Sequence, residues 1–236
     1  MIKAAVKRDC PLTDCPFSRF CVRSTHAAVQ RRSVVGVMEK LYLAVNERLY
    51  RHGQACRYLY VVTAGAVSLT EELGDGRQPI VDLRMPGQSV GEEGLFQAEY
   101  IWTADAASPV EMCRVDLGKL HASIGISFAV LYGLLRRASA DLIRARQRIS
   151  ELSAKSAEER VATLLVDATN GSGGSKYFSC YPLSNRRVIA GFLGIRTETL
   201  SRSLSLLARD NIIGLGSNGI PLSVIDLKRL RERAGL

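Results

Sequence analysis

The spacing of apolar and polar positions changes along this chain, and each spacing predicts a different kind of element. Between residues 47 and 117, short runs rich in Tyr, Val and Leu, such as 58–62, are separated by turn residues such as Gly65 and Pro86-Gly87. Short runs at this spacing are typical of an antiparallel β-roll or barrel. A helix from His26 to about Leu41 is predicted to precede the roll.

A later segment has apolar residues in steps that alternate between three and four, while charged residues such as Arg136 and Arg144 lie off this stripe. This is the heptad spacing of a coiled coil, and the stripe is narrower than the apolar face of a helix packed in a globular core. We interpret the segment as the dimerisation helix of a homodimer. An ordinary amphipathic helix packed on its own domain is the alternative. The seam residues are Phe128, Leu131, Leu135, Ala138, Leu142, Ala145, Ile149 and Leu152.

Near the C-terminus the pattern predicts two helices joined by a tight turn. The first runs from Ser184 to about Leu193 and the second from Thr197 to about Asp210, with Gly194 in the turn. Ser184 and Thr197 are suitable N-caps for these helices. The second helix has an apolar back and a polar front, which predicts a helix-turn-helix. The residues of the back are Leu200, Leu204 and Leu207.

The polar front of the second helix carries side chains that can read base edges in the major groove. Arg202 can donate two bonds to guanine, Glu198 can accept from the amine of cytosine or adenine, and Ser201 can donate or accept. A solvated face with a Glu198–Arg202 ion pair worth about 0.3 kcal/mol is the alternative. From Ser184 onward there are nine Lys or Arg and four Asp or Glu, a net charge of +5, which favours DNA. The predicted DNA-binding residues are Arg196, Glu198, Ser201, Arg202 and Arg209.

Composition narrows the class of protein further. The 236 residues are 47% hydrophobic, enough for two small domains, and the net charge of +9 suits a polyanion or a membrane surface. We expect a cytoplasmic protein without a membrane partner, because no apolar stretch of about 18 residues and no signal-like N-terminus is present. In that compartment the six cysteines predict buried thiols, metal ligands or redox sensors, and not a disulfide framework.

Catalysis is disfavoured by the motifs that the sequence lacks. No phosphate-binding loop, serine-hydrolase elbow or zinc-protease motif occurs, and His26, His52 and His121 are scattered. We therefore do not expect an enzyme. An electron-carrying iron-sulfur protein is permitted by the cysteines, but it does not explain the heptad seam or the basic helix.

With these elements in order, the chain resembles the CRP/FNR family of bacterial regulators over residues 10 to 225, and within it the FNR branch. Two motifs carry the match, Ser156-Ala-Glu-Glu-Arg160, where Ser156 would cap a helix to about Ala168, and Glu198-Thr-Leu-Ser-Arg202. The resemblance implies a half-site like TTGAT, read by Glu198, Ser201 and Arg202. It implies an α+β fold with four parts: a cysteine-rich N-terminal loop (1–25), a β-roll sensor domain like those that bind cyclic nucleotides (26–122), a long dimerisation helix (123–154) and a winged helix-turn-helix domain (155–236).

The resemblance also bears on the effector. Gly91-Glu92 to Leu95-Phe96 is similar to the start of the family's nucleotide cassette, but Trp102 stands where an arginine would pair with the cyclic phosphate, followed by Thr103. An indole cannot supply the two charge-assisted hydrogen bonds that an arginine donates to a phosphate, so we expect no cyclic nucleotide. Glu92 is then assigned to a turn of the roll.

The FNR branch implies an oxygen-labile iron-sulfur cluster of the four-iron four-sulfur type. Its ligands would be Cys10, Cys15, Cys21 and Cys113. The five residues between Cys15 and Cys21 match the branch, whereas Cys10 is separated from Cys15 by four residues where the branch has two. Cys56 is the substitute for Cys113, and Cys180 is the least suitable ligand.

Several alternatives stay open at this point. The regulator can lack a cluster and sense thiol oxidation or nitric oxide, or its cysteines can be core thiols or a zinc site. The signal can be oxygen, nitric oxide or iron supply, and the output activation or repression. The family implies contact with RNA polymerase, for which Glu71, Glu72 and Asp75 are candidates.

Overall fold

A computed structural model describes residues 38–122, 128–171, 185–216 and 219–236. The chain forms two compact units, residues 1–143 and 144–236. Each unit is described by itself below.

The first unit is the predicted β-roll. Its strands form two four-stranded antiparallel sheets with the orders β1-β8-β3-β6 and β2-β7-β4-β5. The strands are β1 (Met38–Leu43), β2 (Arg48–Tyr50), β3 (Tyr58–Ala64), β4 (Val67–Thr70), β5 (Ile80–Arg84), β6 (Ser89–Val90), β7 (Thr103–Ala106) and β8 (Val110–Asp116), with a short 3-10 turn at Glu92–Leu95. The core between the sheets is apolar and aromatic, and includes Tyr50, Tyr60, Val62, Leu69, Tyr100 and Met112.

The helix predicted over 26–41 is wrong where it can be compared. Residues 38–43 form β1, which pairs along its whole length with β8, and 26–37 lie outside the described residues. Leu41 and Leu43 are buried, while Lys40 and Tyr42, at the alternate positions, are half-buried. This alternation has a period of two, which fits a strand paired inside a sheet and not a helix.

The chain then enters α1 (Leu117–Ala122) and the 27-residue helix α2 (Phe128–Ala154), which covers the heptad segment. The seam residues whose side chains are described are exposed in the single chain: 64% for Leu135, 52% for Leu142 and 67% for Ile149. Exposure on this scale is not what a helix packed on its own domain would show. The side chains of Phe128 and Leu131 lie outside the description.

The second unit is a winged helix-turn-helix. It contains α3 (Ala157–Gly171), α4 (Arg186–Leu193), α5 (Thr197–Arg209), the antiparallel pair β9 (Ile213–Leu215) and β10 (Pro221–Val224), and α6 (Leu227–Arg233). Ser156 caps α3 as predicted, because its Oγ accepts from Glu159 N–H at 3.3 Å while Glu159 Oε2 accepts from Ser156 N–H at 2.7 Å. The core of the unit is aliphatic and includes Val161, Leu165, Ile189, Leu193, Leu200, Leu207 and Leu230.

The caps of the two central helices differ from the prediction. Asn185, not Ser184, caps α4, since its side chain accepts from Val188 N–H at 3.3 Å, and Ser184 itself lies outside the described residues. Thr197 is the first residue of α5, and the cap position is Arg196, which makes no side-chain cap bond. The Arg196 carbonyl accepts from Leu200 N–H at 3.0 Å, the first bond of the helix. The turn at Gly194 is as predicted, with a left-handed φ of 63°.

No helix among the described residues is long and apolar enough to cross a membrane.

Candidate DNA-binding helix and sensor residues

Helix α5 presents the arrangement that a recognition helix needs. Its back is buried at Leu200, Leu204 and Leu207, while Glu198 and Arg202 on the front are exposed. Among the described residues no ion pair joins Glu198 to Arg202, so the two groups do not neutralise each other. Both side chains are therefore exposed, and their contact with DNA stays a prediction.

The flanking basic residues are also exposed. Arg196 precedes α5 and Arg209 ends it, and the Arg209 Nε lies 3.5 Å from Asp210 Oδ1. An exposed pair of this kind is worth only about 0–1 kcal/mol, so it leaves Arg209 able to turn toward a phosphate. The structure thus places all five predicted DNA-binding residues on or beside one helix.

Ser201 differs from its neighbours because it is half-buried and already hydrogen-bonded. Arg186, the first residue of α4, donates from Nη1 to Ser201 Oγ at 2.5 Å and from Nη2 to the Gly219 carbonyl at 2.9 Å. The guanidinium of Arg186 therefore bridges the recognition helix and the wing turn. The sequence prediction missed Arg186, because nothing in the Arg186-Arg187 pair shows which side chain faces α5.

The C-terminal end of α5 is held by two arginines from α6. Arg229 Nη1 donates to the Asp210 carbonyl at 3.0 Å, and Arg233 Nη2 donates to Asp210 Oδ2 at 2.6 Å. Arg233 also pairs with Glu158 of α3 at 2.6 Å. Cations are favoured at a helix C-terminus, where the last carbonyls carry partial negative charge. These contacts fix the direction in which α5 points its polar front.

In the sensor roll, a buried guanidinium forms ion pairs with three carboxylates. Arg84 is 12% exposed at its side chain and contacts Asp82 and Glu92 at 2.9 Å and Asp141 of α2 at 3.2 Å. Burial lowers the pKa of Arg84, but the three carboxylates outweigh this effect and the pKa is raised. Burial raises the pKa of Glu92, against the opposing effect of Arg84. Glu92 lies in the 3-10 turn as expected, and its partner is a cation supplied by the protein itself.

The rest of this region is filled by aromatic side chains. Tyr50 and Tyr100 stack with their ring centroids 3.6 Å apart, and Trp102 packs partly buried against the same core. Thr103 Oγ1 already accepts from His52 N–H at 3.0 Å. The expectation that no cyclic nucleotide binds stays a prediction.

Two cysteines fall within the described residues, and their surroundings differ. Cys113 is buried on β8, in register with Lys40 and Val61, and so lies on the face of the sheet turned away from the roll core. Cys56 is half-buried, and burial together with Glu93 and Glu99 raises its pKa to about 11. Burial and the two nearby carboxylates thus disfavour the thiolate form of Cys56 that a metal would need.

The remaining predicted ligands cannot be placed in the fold. Cys10, Cys15, Cys21 and Cys180 lie outside the described residues, and the described ones contain no group of three or more residues able to hold a metal. Cys113 offers one buried thiol from an internal strand of the sheet, and its role as a cluster ligand stays a prediction. The candidates for polymerase contact lie in the β4–β5 hairpin, where Asp75 pairs with Arg77 at 2.7 Å and Glu72 accepts from Gln78 at 3.1 Å.

A β-roll, a long helix with an exposed apolar seam and a winged helix-turn-helix define a DNA-binding transcription regulator with a sensor domain. The chain matches the cyclic nucleotide-binding domain over residues 40–124 and the Crp-like helix-turn-helix domain over residues 159–233. It belongs to the CRP/FNR family of transcription regulators, which are not enzymes.

Relatives across the whole chain agree with this assignment. The chain is 32% identical over 196 residues to the nitrogen fixation regulation protein FixK of Azorhizobium caulinodans, covering 82% of this chain and 75% of FixK. It is 31% identical over 191 residues to the transcriptional activator protein FnrL of Cereibacter sphaeroides, covering 78% and 75%. The solved structure of FixK2 from Bradyrhizobium japonicum superposes with a TM-score of 0.73 at 28% identity, covering 83% of this chain and 96% of FixK2.

Proposed function

We propose that this chain is a homodimeric regulator of the FNR type that binds a two-fold symmetric, TTGAT-like site under the control of an oxygen-labile iron-sulfur cluster. The observation that carries the DNA-binding part is the triad on the polar face of α5, where Glu198 and Arg202 are exposed and Ser201 is half-buried, on a helix whose leucine back is buried. Side chains at i, i+3 and i+4 on one helix face reach neighbouring base pairs in the major groove.

The dimer is supported by the seam of α2. Leu135, Leu142 and Ile149 are each more than half exposed, and a second copy is the partner that the heptad spacing fits. Two copies related by a two-fold axis would present two recognition helices to half-sites about 34 Å apart.

Control by a cluster is supported by the position of Cys113. When bound at Cys10, Cys15, Cys21 and Cys113, a four-iron four-sulfur cluster would supply reactivity toward oxygen. The chain's own contribution would be thiolates that tether the N-terminal loop to β8. The tether would favour the dimer, and its release would lower DNA affinity. The chain is similar in sequence to FnrL and to the anaerobic regulatory protein of Haemophilus influenzae, the latter at 23% identity over 231 residues.

A regulator without a cluster is the second candidate. The burial of Cys113 also suits a plain structural thiol, and the chain is similar to FixK as well as to FnrL. In that case thiol oxidation, nitric oxide or another effector would provide the signal.

The cluster-controlled and the cluster-free regulator can be distinguished with anaerobically purified protein. Iron, sulfide and the visible spectrum are measured together with operator affinity for wild type, Cys113→Ser, Cys21→Ser and the matched control Cys56→Ser. We expect the first two variants to lose iron and binding while Cys56→Ser keeps both. Full iron and full binding in both Cys113→Ser and Cys21→Ser would reject the cluster mechanism and leave the cluster-free regulator.

DNA recognition is tested separately from the cluster. Selection of bound sequences from a random duplex pool should return inverted repeats related to TTGAT. Recovery of no preferred sequence by the dimeric protein would reject specific recognition by α5. Contact of the β4–β5 hairpin with RNA polymerase, through Glu71, Glu72 and Asp75, belongs to the same proposal and is tested by transcription.

A further inference from the structure

The guanidinium of Arg186 has a fixed place between the recognition helix and the wing. Nη1 donates to Ser201 Oγ at 2.5 Å, and Nη2 donates to the Gly219 carbonyl at 2.9 Å. Gly219 has a φ of +71°, and a Cβ built there would lie 2.6 Å from Arg186 Nη2. Only glycine therefore allows the turn to approach the guanidinium this closely.

The wing turn is itself closed by backbone bonds. Gly216 N–H donates to the Ile220 carbonyl at 2.9 Å, and Gly219 N–H donates to the Gly216 carbonyl at 2.8 Å. The Gly219 carbonyl is thus directed by the turn and not by Arg186. Because Arg186 is held by the wing on one side, the bond to Ser201 on the other side has a defined direction.

This bond decides which hydrogen-bonding role remains to Ser201. Arginine has donors and no acceptor, so Ser201 Oγ must accept from Arg186. The Ser201 hydroxyl hydrogen is then left to point away from the cation, and no acceptor for it occurs among the described residues. A donor from a base could reach only the second lone pair of Ser201 Oγ, where it would lie close to the guanidinium charge.

We propose that Arg186 is a specificity-determining positioning residue, which turns the Ser201 hydroxyl into a hydrogen-bond donor that selects a base acceptor and rejects the amine of cytosine. The acceptors in the major groove are thymine O4, guanine O6 and the purine N7 atoms. The inference rests on the proposed function, since it needs α5 to lie in the major groove. It narrows the earlier expectation that Ser201 can donate or accept.

The test begins by finding the base pair that Ser201 reads. Affinities of wild type and Ser201→Ala are measured for duplexes carrying each of the four base pairs at every position of one half-site. We expect Ser201→Ala to change the preference at a single position, by about tenfold. Arg186→Met should reduce the preference at the same position, and the double variant should lose no more than either single variant. Arg187→Met, a change of the exposed neighbouring arginine, should leave the preference unchanged.

A second measurement changes the DNA, so its main comparison, made with wild-type protein, does not depend on whether the variants fold. The preferred base at the Ser201 position is replaced by an analogue with a weakened acceptor: 4-thiothymidine for thymidine, 7-deazaadenine for adenine, or 7-deazaguanine and 6-thioguanine in separate duplexes for guanine. Wild type should lose several-fold in affinity, while Ser201→Ala should not change.

Three results would overturn the proposal. One is a uniform loss of affinity in Arg186→Met with all base preferences intact, which would make Arg186 a backbone contact. Another is equal affinity of wild type for the natural and acceptor-weakened duplexes. The third is a preference that depends on a cytosine amine. Absence of any sequence preference in wild type would instead reject the proposed function itself.

Discussion

The seam of α2 provides the sharpest quantitative prediction, the effect of Leu142→Glu on dimerisation. Leu142 is 52% exposed in the single chain, so about half of its burial free energy remains to be gained by association. Full burial of a leucine side chain is worth about 1.5–3 kcal/mol, which gives about 1 kcal/mol for each copy and about 2 kcal/mol for the dimer. The substitution removes this gain and adds two facing carboxylates, whose desolvation costs several kcal/mol when they are buried without a partner.

We therefore expect Leu142→Glu to weaken the dimer by about 4 kcal/mol, roughly a thousandfold in the dissociation constant. Ile143→Glu is the matched control, because Ile143 is the next residue, is 55% exposed and lies off the seam. It adds the same charge to the same helix, but it should leave the dimer nearly unchanged.

The assay is sedimentation equilibrium of the anaerobic protein, combined with titration of a symmetric operator. The reasoning fails if Leu142→Glu dimerises and binds like wild type. It also fails if Ile143→Glu weakens the dimer as strongly, because the contact face would then differ from the predicted seam.

Four further predictions concern the other parts of the chain. Arg202→Ala should cost about 1–3 kcal/mol and relax selection at one guanine of each half-site in competition binding, whereas an equal loss on all duplexes would assign Arg202 to the phosphates. Ser156→Ala should cost about 1 kcal/mol of unfolding free energy in urea. The bonds from Ser156 lower the pKa of Glu159 below its ordinary 4.5, so the stabilisation is present above pH 4.5 and the difference between the proteins should shrink as the pH falls. Arg84→Met should destabilise the roll by about 3 kcal/mol by leaving its carboxylates unpaired, and Glu92→Gln in the same chain should restore part of the loss in thermal unfolding. Glu72→Ala should lower transcription in vitro at unchanged operator affinity, and full transcription would remove Glu72 from the polymerase surface.

Local patterns were sufficient for the parts of the molecule in which neighbours along the chain decide the structure. The turn at Gly194 and the cap at Ser156 depend on residues within one helical turn, and both are found as predicted. The leucine back of α5 repeats at helical spacing and is buried as expected. Where two neighbouring side chains compete for one cap, as at Ser184 and Asn185, the spacing could not choose between them.

The helix predicted at β1 was wrong because this segment pairs with a strand that is distant in the sequence. Met38 to Leu43 carry too few apolar positions to distinguish a period of two from one of 3.6, and their strand conformation follows from pairing with β8 some 70 residues later in the chain. The partner strand, and not the local sequence, decides this element.

Local sequence also could not predict the long-range contacts that Arg84 makes in the first unit and Arg186 makes in the second. Arg84 reaches Asp141 across 57 positions, and Arg186 reaches Gly219 across 33, so neither contact leaves a periodic signal. Yet Asp141 immediately precedes Leu142, and successive residues of a helix point about 100° apart. The direction in which α2 presents Leu142 is therefore tied to the contact that Asp141 makes with the roll. A rotation of α2 that turned Leu142 away from a partner would also have to separate Asp141 from Arg84, which couples the sensor fold to the seam through the buried guanidinium of Arg84.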